Sequence, residues 1–337
     1  MKRIYNDINL QSRNSFGVVE SARELVEFET SSDLRDYFTE SKPEHWYVLG
    51  GGNNTLFTKR YDGVLLAPVA ARRTMLADDG VNVDIRVEAA HDWDALVAWS
   101  VSEGLWGIEN LSMIPSSVGA APVQNIGAYG AEVKDVITTV EYFDTNSLDV
   151  VRLSNEECGF GYRESIFKHE LKGVAIILAV ELRLHRNPTP NLGYGDVIKE
   201  VEARGGATLE NIREAICAIR SSKLPDPKIL GNAGSFFKNP IVERSVAERL
   251  LAVHPDMPHY AVNGNADVVK LAAGWLIDRA GLKGHRAGKV GVHDRQALVL
   301  VNHGGATGGE VIALAEYVCS RVMDKFGVAI SPEVNIL

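Results

Sequence analysis

Metal-binding and disulfide patterns are missing from this sequence. Its 337 residues include three cysteines, Cys158, Cys217 and Cys319, which are far apart and odd in number. No CxxC or HExxH spacing occurs, so we expect no metal site. We interpret the cysteines as reduced, mostly buried thiols of a cytoplasmic protein.

Long apolar runs are also missing. The longest, Gly173 to Val180, is far shorter than the ~20 residues that a membrane helix needs. Residues 1–17 contain basic side chains but no apolar segment behind them, so no secretory signal is expected there. We therefore predict a cytoplasmic protein without membrane insertion.

Positive charge is scarce relative to negative charge. There are 35 lysines and arginines against 44 aspartates and glutamates, which gives a formal net charge of −9. A broad nucleic-acid surface would need clustered positive charge, and we do not expect one. Segment 282–292 is locally basic, and either a phosphate-facing loop or a solvated basic loop would explain it. The composition is otherwise that of a globular protein, and the length suits about two domains.

The common nucleotide-binding signatures are incomplete. Gly50–Gly52 follow a predicted strand, and the amides of such a loop can approach a phosphate closely. A Rossmann fingerprint fails because Thr55 replaces its third glycine and the chain continues as a strand. A Walker A sequence fails because Lys283 replaces the first glycine before Gly288-Lys289. A plain tight turn explains the glycine loop about as well as a phosphate site does.

An unusual turn is present at residues 223–240, which read KLPDPKILGNAGSFFKNP. Pro225 and Pro227 end a helical pattern, because proline lacks the amide hydrogen and disfavours helical geometry in the residue before it. Gly234 permits backbone angles that other residues avoid, and Ser235 follows it directly. The pattern suggests that the serine is positioned for a functional role. Taken alone, however, an ordinary surface loop explains this stretch about as well.

A second unusual stretch is residues 111–130, which read LSMIPSSVGAAPVQNIGAYG. It is poor in charge and rich in small residues, which let the backbone approach something flat and large. This composition favours a ligand wall over a tightly packed buried turn. Arg163 stands in a separate glycine-containing loop, where its planar, paired donors would suit a carboxylate.

Hydrophobic periodicity predicts the remaining elements. Helices are predicted at 31–40, 92–103, 209–223, 241–253, 267–280 and 310–326, with Ser31 or Ser32 capping the first and Asp92 the second. Strands are predicted at 45–49, 81–88, 136–143, 173–184, 296–301 and 331–334. Residues 188–196 are rich in proline and glycine and form a candidate linker, in which we expect Tyr194 to be exposed.

Taken together in order, several segments make the chain resemble the UDP-N-acetylenolpyruvoylglucosamine reductases, also called UDP-N-acetylmuramate dehydrogenases. The segments are LGGGNNTLF at 49–57, IPSSVGAAPVQNIGAYGAEV at 114–133, FGYRESIFK at 160–168, KLPDPKILGNAGSFFKNP at 223–240, KLAAGWLID at 270–278, GVHDRQALVLVN at 291–302 and PEV at 332–334. YGDV at 194–197 resembles the type I branch of that family. Ser116 stands where the family usually has glycine, and Asn53 replaces a more usual serine.

The resemblance implies an α+β fold with a two-lobed FAD-binding unit of the PCMH, or vanillyl-alcohol-oxidase, type. An α/β substrate-binding domain would follow it. We expect the first lobe at 1–70 and the second at 71–205, joined by a C-terminal strand at 327–337. The substrate-binding domain would span 206–326.

The resemblance also implies an enzyme of peptidoglycan synthesis, and hence of cell shape and division. It would reduce UDP-N-acetylglucosamine enolpyruvate with NADPH through bound FAD, the two substrates using one pocket in turn. The implied cofactor-binding residues are Gly50, Gly51, Gly52, Asn53, Asn54, Ile114, Pro115, Ser116, Ser117, Gly119, Asn125, Gly127, Ala128 and Tyr129. Tyr194, Lys223 and Asn239 would bind the substrate diphosphate, and the enzyme would be a monomer.

Three further residues are implied to be catalytic, and their chemistry suits the reaction. Hydride addition to the enol ether places negative charge beside the carboxylate, which Arg163 would hold through paired hydrogen bonds. Glu333, as a neutral acid, would donate a hydrogen bond to the developing enolate. Ser235 would protonate the carbon.

Two other functions remain open at this point. A related flavin oxidase would use oxygen as its acceptor, although the 223–240 segment argues against it. A nucleotide-sugar sensor without catalysis would keep the pocket and lack flavin. A serine hydrolase is poorly supported, because Gly234-Ser235-Phe236 is not a GxSxG elbow and no His–Asp partner follows from the sequence.

Overall fold

The structure, a computed structural model, describes residues 2–262 and 264–337. The chain divides into two compact units. The first unit consists of Met1–Ile8, Ala22–Gly51 and Asp62–Arg220, and the second of Asn9–Ser21, Gly52–Tyr61 and Ser221–Leu337. The domain boundaries expected at residues 70, 205 and 326 stay a prediction.

The helices agree with the sequence periodicity at most positions. They are α1 (Ser31–Ser41), α2 (Trp93–Ser102), α3 (Val197–Glu202), α4 (Leu209–Lys223), α5 (Arg244–Val253), α6 (Ala273–Arg279) and α7 (Gly308–Phe326). Asp92 caps α2 as predicted, since its Oδ1 accepts from Ala95 N at 2.8 Å. The predicted serine cap of α1 is wrong, because Thr30 and Asp33 form a reciprocal capping box one residue earlier.

The strands are mostly short outside the first unit's sheets. In chain order they are β1 (Arg3–Asn9), β2 (Ser21–Phe28), β3 (Trp46–Val48), β4 (Thr55–Leu56), β5 (Tyr61–Pro68), β6 (Arg73–Asp78), β7 (Asn82–Glu88), β8 (Gly127–Ala128), β9 (Ala131–Glu132), β10 (Ile137–Asp144), β11 (Asp149–Ser154), β12 (Ala175–His185), β13 (Ile241–Glu243), β14 (His259–Val262), β15 (Asn265–Leu271), β16 (Arg286–Ala287), β17 (Val290–Val292), β18 (Leu300–Asn302) and β19 (Asn335–Ile336).

Two sheets organise the first unit. One has the order β11-β10-β12-β7-β6 and is antiparallel throughout; the other has the order β1-β2-β5-β3, with β3 and β5 parallel. Alternate residues of β7, namely Val83, Ile85 and Val87, are fully buried in one hydrophobic cluster with Trp93 and Leu96 of α2. This alternation is what a strand with one buried face requires.

Helix α4 buries the stripe that the periodicity predicted. Its buried residues are Leu209, Ile212, Ala215, Ile216 and Ile219, and they pack in one cluster with Val197 and Val201 of α3. Burial of such a stripe, rather than helix propensity, supplies most of the stability of a helix in a protein. The same helix carries two arginines, Arg213 and Arg220, seven residues apart and therefore on one face.

The second unit corrects two predicted helices. Residues 241–253 and 267–280 were both expected to be helical, but each begins as a strand. Ile241–Glu243 pairs with Val268–Lys270 of β15, and only then do α5 and α6 begin. Each paired segment contains two β-branched residues, and their preference for a pleated surface explains why the helical periodicity was misleading there.

The C-terminal residues also differ from expectation. The strand predicted at 331–334 is a single bridge between Pro332 and Phe237, and the regular strand β19 follows it. β19 pairs in parallel with β4 and belongs to the second unit, and the expectation that residues 327–337 join the second FAD-binding lobe stays a prediction. The strand predicted at 296–301 begins only at Leu300, because a turn from Gln296 O to Val299 N precedes it.

Candidate functional site

Ser235 lies on a short extended segment of the second unit that is hydrogen-bonded on both sides. Phe236 N donates to Leu298 O at 2.7 Å, and Phe236 O accepts from Glu333 N at 2.7 Å. Lys238 N continues this contact by donating to Ser331 O at 2.9 Å. The backbone of Ser235 is therefore fixed from two directions, while its side chain is exposed.

Two buried phenylalanines and a buried asparagine stabilise this segment. Phe236 and Phe237 are almost fully buried, and Phe236 makes an edge contact with Phe16 at 6.1 Å between ring centroids. Asn232, also buried, donates to Pro225 O and Leu230 O and accepts from Gly234 N. The turn expected from prolines and glycines is thus built around Asn232, which the sequence analysis did not single out.

Glu333 is bonded through its backbone to Phe236, the residue after Ser235, and also contacts Asn54, which follows the glycine loop. Asn54 Nδ2 lies 3.5 Å from Glu333 O, and Asn54 O accepts from both the backbone and the side chain of Asn335 at 3.0 and 3.1 Å. Gly52 in the same loop has φ +65° and accepts from Ser15 N. A Cβ on Gly52 would lie 2.1 Å from Arg13 O, so this position needs glycine.

Two predicted substrate-binding residues of the second unit have different surroundings. Lys223 is exposed at the last position of α4. Asn239 is half-buried, and its Oδ1 accepts from Ala273 N at the start of α6 at 3.0 Å. Because that oxygen already accepts a hydrogen bond, the amide nitrogen is the end of Asn239 suited to donate to an anion.

Within the first unit, the predicted cofactor segments 50–51 and 114–119 lie close together. Gly50 and Gly51 are exposed, and a Cβ on Gly50 would lie 2.9 Å from Ser117 Oγ. Backbone bonds from Val118 N to His91 O and from Gly119 N to Ala89 O hold the second segment. A Cβ on Gly119 would lie 2.6 Å from Ala89 Cβ, so close packing by itself explains that glycine.

Residues 125–132 form a tight hairpin. β8 pairs with β9 across the two-residue turn Tyr129-Gly130, and both turn residues have positive φ, +48° and +83°. Such a turn favours asparagine or glycine, so tyrosine at its first position is unusual and strained. Asn110 Nδ2 donates to Tyr129 O at 2.8 Å and helps to hold the turn.

Arg163 is bound to this hairpin. Its Nη2 donates to Gly127 O at 2.6 Å and its Nη1 to Asn125 O at 3.3 Å. Asn125 is fully buried and in turn donates to Gly161 O at 2.8 Å. The structure therefore brings Arg163, Asn125 and Gly127 together as a guanidinium held in a fixed plane.

Three charged residues near these segments were not found from the sequence. Asp94 accepts from both terminal nitrogens of Arg213, at 2.7 and 3.0 Å, and from Met113 N at 2.6 Å. Burial would raise the pKa of Asp94, but these hydrogen bonds outweigh it and the pKa is lowered. Arg220 is half-buried, its Nε is buried without a hydrogen-bond partner, and burial lowers its pKa while the nearby Tyr129 side chain opposes that shift. The i, i+7 spacing of Arg213 and Arg220 was the available signal.

Tyr129 also meets a predicted substrate residue. Its ring makes an edge contact with Tyr194 at 6.1 Å between centroids. Tyr194 is 47% exposed, as expected for a residue of the linker. The first unit therefore joins Tyr129, Tyr194 and Arg220 in one cluster.

Comparison with known families divides the chain in the same order as the sequence motifs. Residues 24–154 match the family described as FAD binding domain, and residues 226–337 match UDP-N-acetylenolpyruvoylglucosamine reductase, C-terminal domain. The UDP-N-acetylenolpyruvoylglucosamine reductase of Chromobacterium violaceum is 46% identical, with 98% of both chains covered. That of Pseudomonas aeruginosa is 45% identical, with 97% of both chains covered.

The chain belongs to the UDP-N-acetylenolpyruvoylglucosamine reductase family. A crystal structure of UDP-N-acetylenolpyruvylglucosamine reductase from Thermus caldophilus has the same fold, with a TM-score of 0.70 and 24% identity over 100% of this chain and 99% of that one. The α+β fold class and the FAD-binding unit followed by a C-terminal domain are confirmed. So is the assignment to a family of flavin-dependent oxidoreductases.

The residues of the first unit fit a flavin nucleotide. Gly50 and Gly51 offer exposed backbone without side chains, and a Cβ on Gly50 would fill the space beside Ser117. Half-buried Ile114 and Tyr129 supply apolar surface. Within residues 2–262 and 264–337 there is no group of acidic, histidine or cysteine side chains arranged to hold a metal, and no helix there is both long and apolar enough to cross a bilayer.

The contact between Gly50 and Ser117 generates a prediction about FAD affinity. We expect Gly50→Ala to weaken FAD binding, because the added Cβ must displace the Ser117 side chain. Ser117→Ala removes the oxygen that would clash and leaves the nearest atom, Cβ, at 3.9 Å. The losses in the double variant should therefore be sub-additive, by about 0.5–3 kcal/mol.

Titration of apoprotein with FAD, followed by fluorescence, measures all four members of this cycle. Strictly additive losses would contradict the contact. The thermal midpoint of each apoprotein serves as the control for folding.

Proposed function

We propose that this protein reduces UDP-N-acetylglucosamine enolpyruvate to UDP-N-acetylmuramate, with NADPH as the reductant and FAD as the bound cofactor. We place the reaction in cytoplasmic peptidoglycan synthesis and propose a monomeric enzyme. The observation that carries the proposal is the identity of 45–46% with reductases of that name over nearly the whole chain. FAD, when bound, supplies hydride chemistry that no side chain can supply.

Arg163 is proposed to bind the carboxylate of the enolpyruvyl group. Its guanidinium plane is fixed by the carbonyls of Asn125 and Gly127, so its orientation is set before a ligand arrives. A planar fork of donors matches a carboxylate in a way that a lysine cannot. Negative charge that develops next to that carboxylate would be stabilised by the same cation.

Ser235 is proposed to give its hydroxyl proton to the carbon next to the carboxylate. The side chain is exposed while the backbone of the next residue, Phe236, is bonded on both sides, which suits a donor that must reach a substrate without moving. Glu333, bonded through its backbone to Phe236, is proposed to donate a hydrogen bond to the enolate oxygen as a neutral acid.

Tyr194, Lys223 and Asn239 are proposed to bind the diphosphate of the nucleotide sugar. Lys223 contributes a point charge, and Asn239 contributes its amide nitrogen because its oxygen is bonded to Ala273 N. Tyr194 presents an exposed ring and hydroxyl. Cofactor contacts are proposed for the exposed backbone of Gly50–Gly51 and for the 114–119 and 125–129 segments.

The role of Ser235 predicts a variant that fails in one half-reaction only. Ser235→Ala should lose flavin absorbance on addition of NADPH at the wild-type rate. Its recovery on addition of UDP-N-acetylglucosamine enolpyruvate should be about 10²- to 10⁴-fold slower, the usual contribution of a general acid. Stopped-flow absorbance without oxygen measures both steps.

Ser331→Ala is the matched control for this experiment. Ser331 is also exposed, and its carbonyl bond to Lys238 N survives in alanine. Equal recovery rates in Ser235→Ala and Ser331→Ala would remove Ser235 from the proposed role. Recovery of wild-type absorbance only with oxygen would favour an oxidase, and a protein that takes up no flavin would favour a nucleotide-sugar sensor.

The position of Arg163 predicts a second effect on turnover. A Cβ on Gly127 would lie 2.9 Å from Arg163 Nη1 and 2.9 Å from Ala131 O, so Gly127→Ala must shift the guanidinium or the hairpin. We expect kcat/KM for the UDP-sugar to fall about 10- to 100-fold, as small misplacements of a positioning group do.

Gly161→Ala is the control in the neighbouring turn, because its Cβ would meet only Glu164 Cβ at 3.4 Å. Steady-state kinetics and thermal midpoints of both variants separate displacement from unfolding. Unchanged kcat/KM in a folded Gly127→Ala protein would contradict the placement of Arg163.

A further inference from the structure

The two buried side-chain atoms without a hydrogen-bond partner in the described part of the chain both belong to residues close to Tyr129. They are Arg220 Nε and Asn110 Oδ1. The Tyr129 side chain acts on Arg220 electrostatically and packs against the hydrophobic cluster of α4, and Asn110 Nδ2 donates to the Tyr129 carbonyl at 2.8 Å. Buried polar atoms are nearly always paired, so the unpaired Nε donor of Arg220 marks a place where an acceptor can bind, whereas Asn110 Oδ1 needs a donor instead.

The charge around Arg220 is not balanced. Asp94 is the carboxylate that acts on it electrostatically, and both oxygens of Asp94 already bond Arg213. Burial raises the pKa of the Cys217 thiol and of the Tyr129 hydroxyl, so neither supplies a negative charge near neutral pH. Two arginines thus share one carboxylate, which leaves on half-buried Arg220 a positive charge that an anion would stabilise.

The donor that remains determines the chemistry of that anion. Arginine offers five N–H groups in a rigid plane, and those of Arg220 include an unpaired Nε beside a tyrosine hydroxyl. Phosphate oxygens match this fork and accept from tyrosine as well. The ring of Tyr129 also meets Tyr194, so the cluster extends to an exposed side chain through which a ligand can enter.

We propose that Arg220 is a ligand-binding residue that pairs with a phosphate group beside Tyr129. The inference rests on the proposed function, because FAD, NADPH and the UDP-sugar are the sources of phosphate in that reaction. A phosphate held there would pair with the Nε donor and compensate the second arginine charge. The cluster would also fix Tyr129 against the ligand.

The test uses Arg220→Met, which keeps most of the side-chain volume but removes the charge and every donor. Three affinities are measured: FAD for the apoprotein by fluorescence, NADPH from the concentration dependence of flavin bleaching, and UDP for the oxidised holoenzyme by difference absorbance. One of them should weaken about 10- to 100-fold, as expected for the loss of hydrogen bonds between charged groups. The affected ligand identifies the source of the phosphate.

Two further variants make the result decisive. Arg220→Lys keeps the charge but not the fork, so it should recover part of the lost affinity, and it carries the test if Arg220→Met does not fold. Arg204→Met is the control, because half-buried Arg204 lies in the turn after α3 and already pairs with Glu200 at 2.7 Å. It should leave all three affinities unchanged.

Two outcomes would overturn the inference. In one, none of the three affinities changes by more than about twofold in Arg220→Met, whose fold is verified by its thermal midpoint. In the other, all three weaken together with a large loss of thermal stability in both Arg220 variants, which shows a structural role only. Wild-type protein that fails to bleach with NADPH would instead contradict the proposed function, so the two failures are distinguishable.

Discussion

The backbone of Phe236 is the constraint on which the arrangement around Ser235 depends. Its amide and its carbonyl each make a 2.7 Å hydrogen bond, one to Leu298 and one to Glu333. Three segments that are far apart in the sequence are joined at this one residue. The fully buried ring of Phe236 then prevents the segment from sliding, because a shift would expose it to water. An exposed serine hydroxyl on a fixed backbone is the consequence.

The first unit applies the same principle by different means. Its functional candidates lie on loops and on a two-residue hairpin, where little regular structure is available to hold them. Side chains therefore stabilise these segments. Arg163 donates to the hairpin carbonyl of Gly127, and Asn125 donates to Gly161 O. Asp94 accepts from the backbone amide of Met113, a residue with a φ of +57°. Strained backbone at Met113 and Tyr129 persists only because these bonds over-determine it.

The sequence predicted elements well where one local signal dominated. Helix α4 was expected at its observed bounds because its apolar stripe is regular, and the cap at Asp92 follows from a local hydrogen bond. Residues 241–243 and 267–271 were misread as helical because strand pairing between these segments is a tertiary effect that periodicity does not report. No prediction was made for β1 or β2, which pair with each other, β2 pairing also with β5.

At the candidate site, too, features encoded locally were predicted and features that depend on tertiary contacts were not. Motif resemblance supplied Ser235, Arg163 and Glu333, since residue types and order are visible in a sequence. It could not supply Asn232, Asp94 or Arg220, because each acts through contacts with residues distant in sequence or through burial, and neither property is local. The identity of 45–46% with reductases of known name then confirms the family to which those motifs belong.

Hydrogen exchange of individual amides tests most directly whether Phe236 holds the serine segment. The account predicts that the amides of Phe236 and Glu333 exchange only through the slowest openings of the protein. The amide of Ile229, which lies in an exposed turn bonded to Asp226 O, should exchange far faster. Exchange of Phe236 and Glu333 at the rate of Ile229 would show that the segment is not held, and would contradict the account.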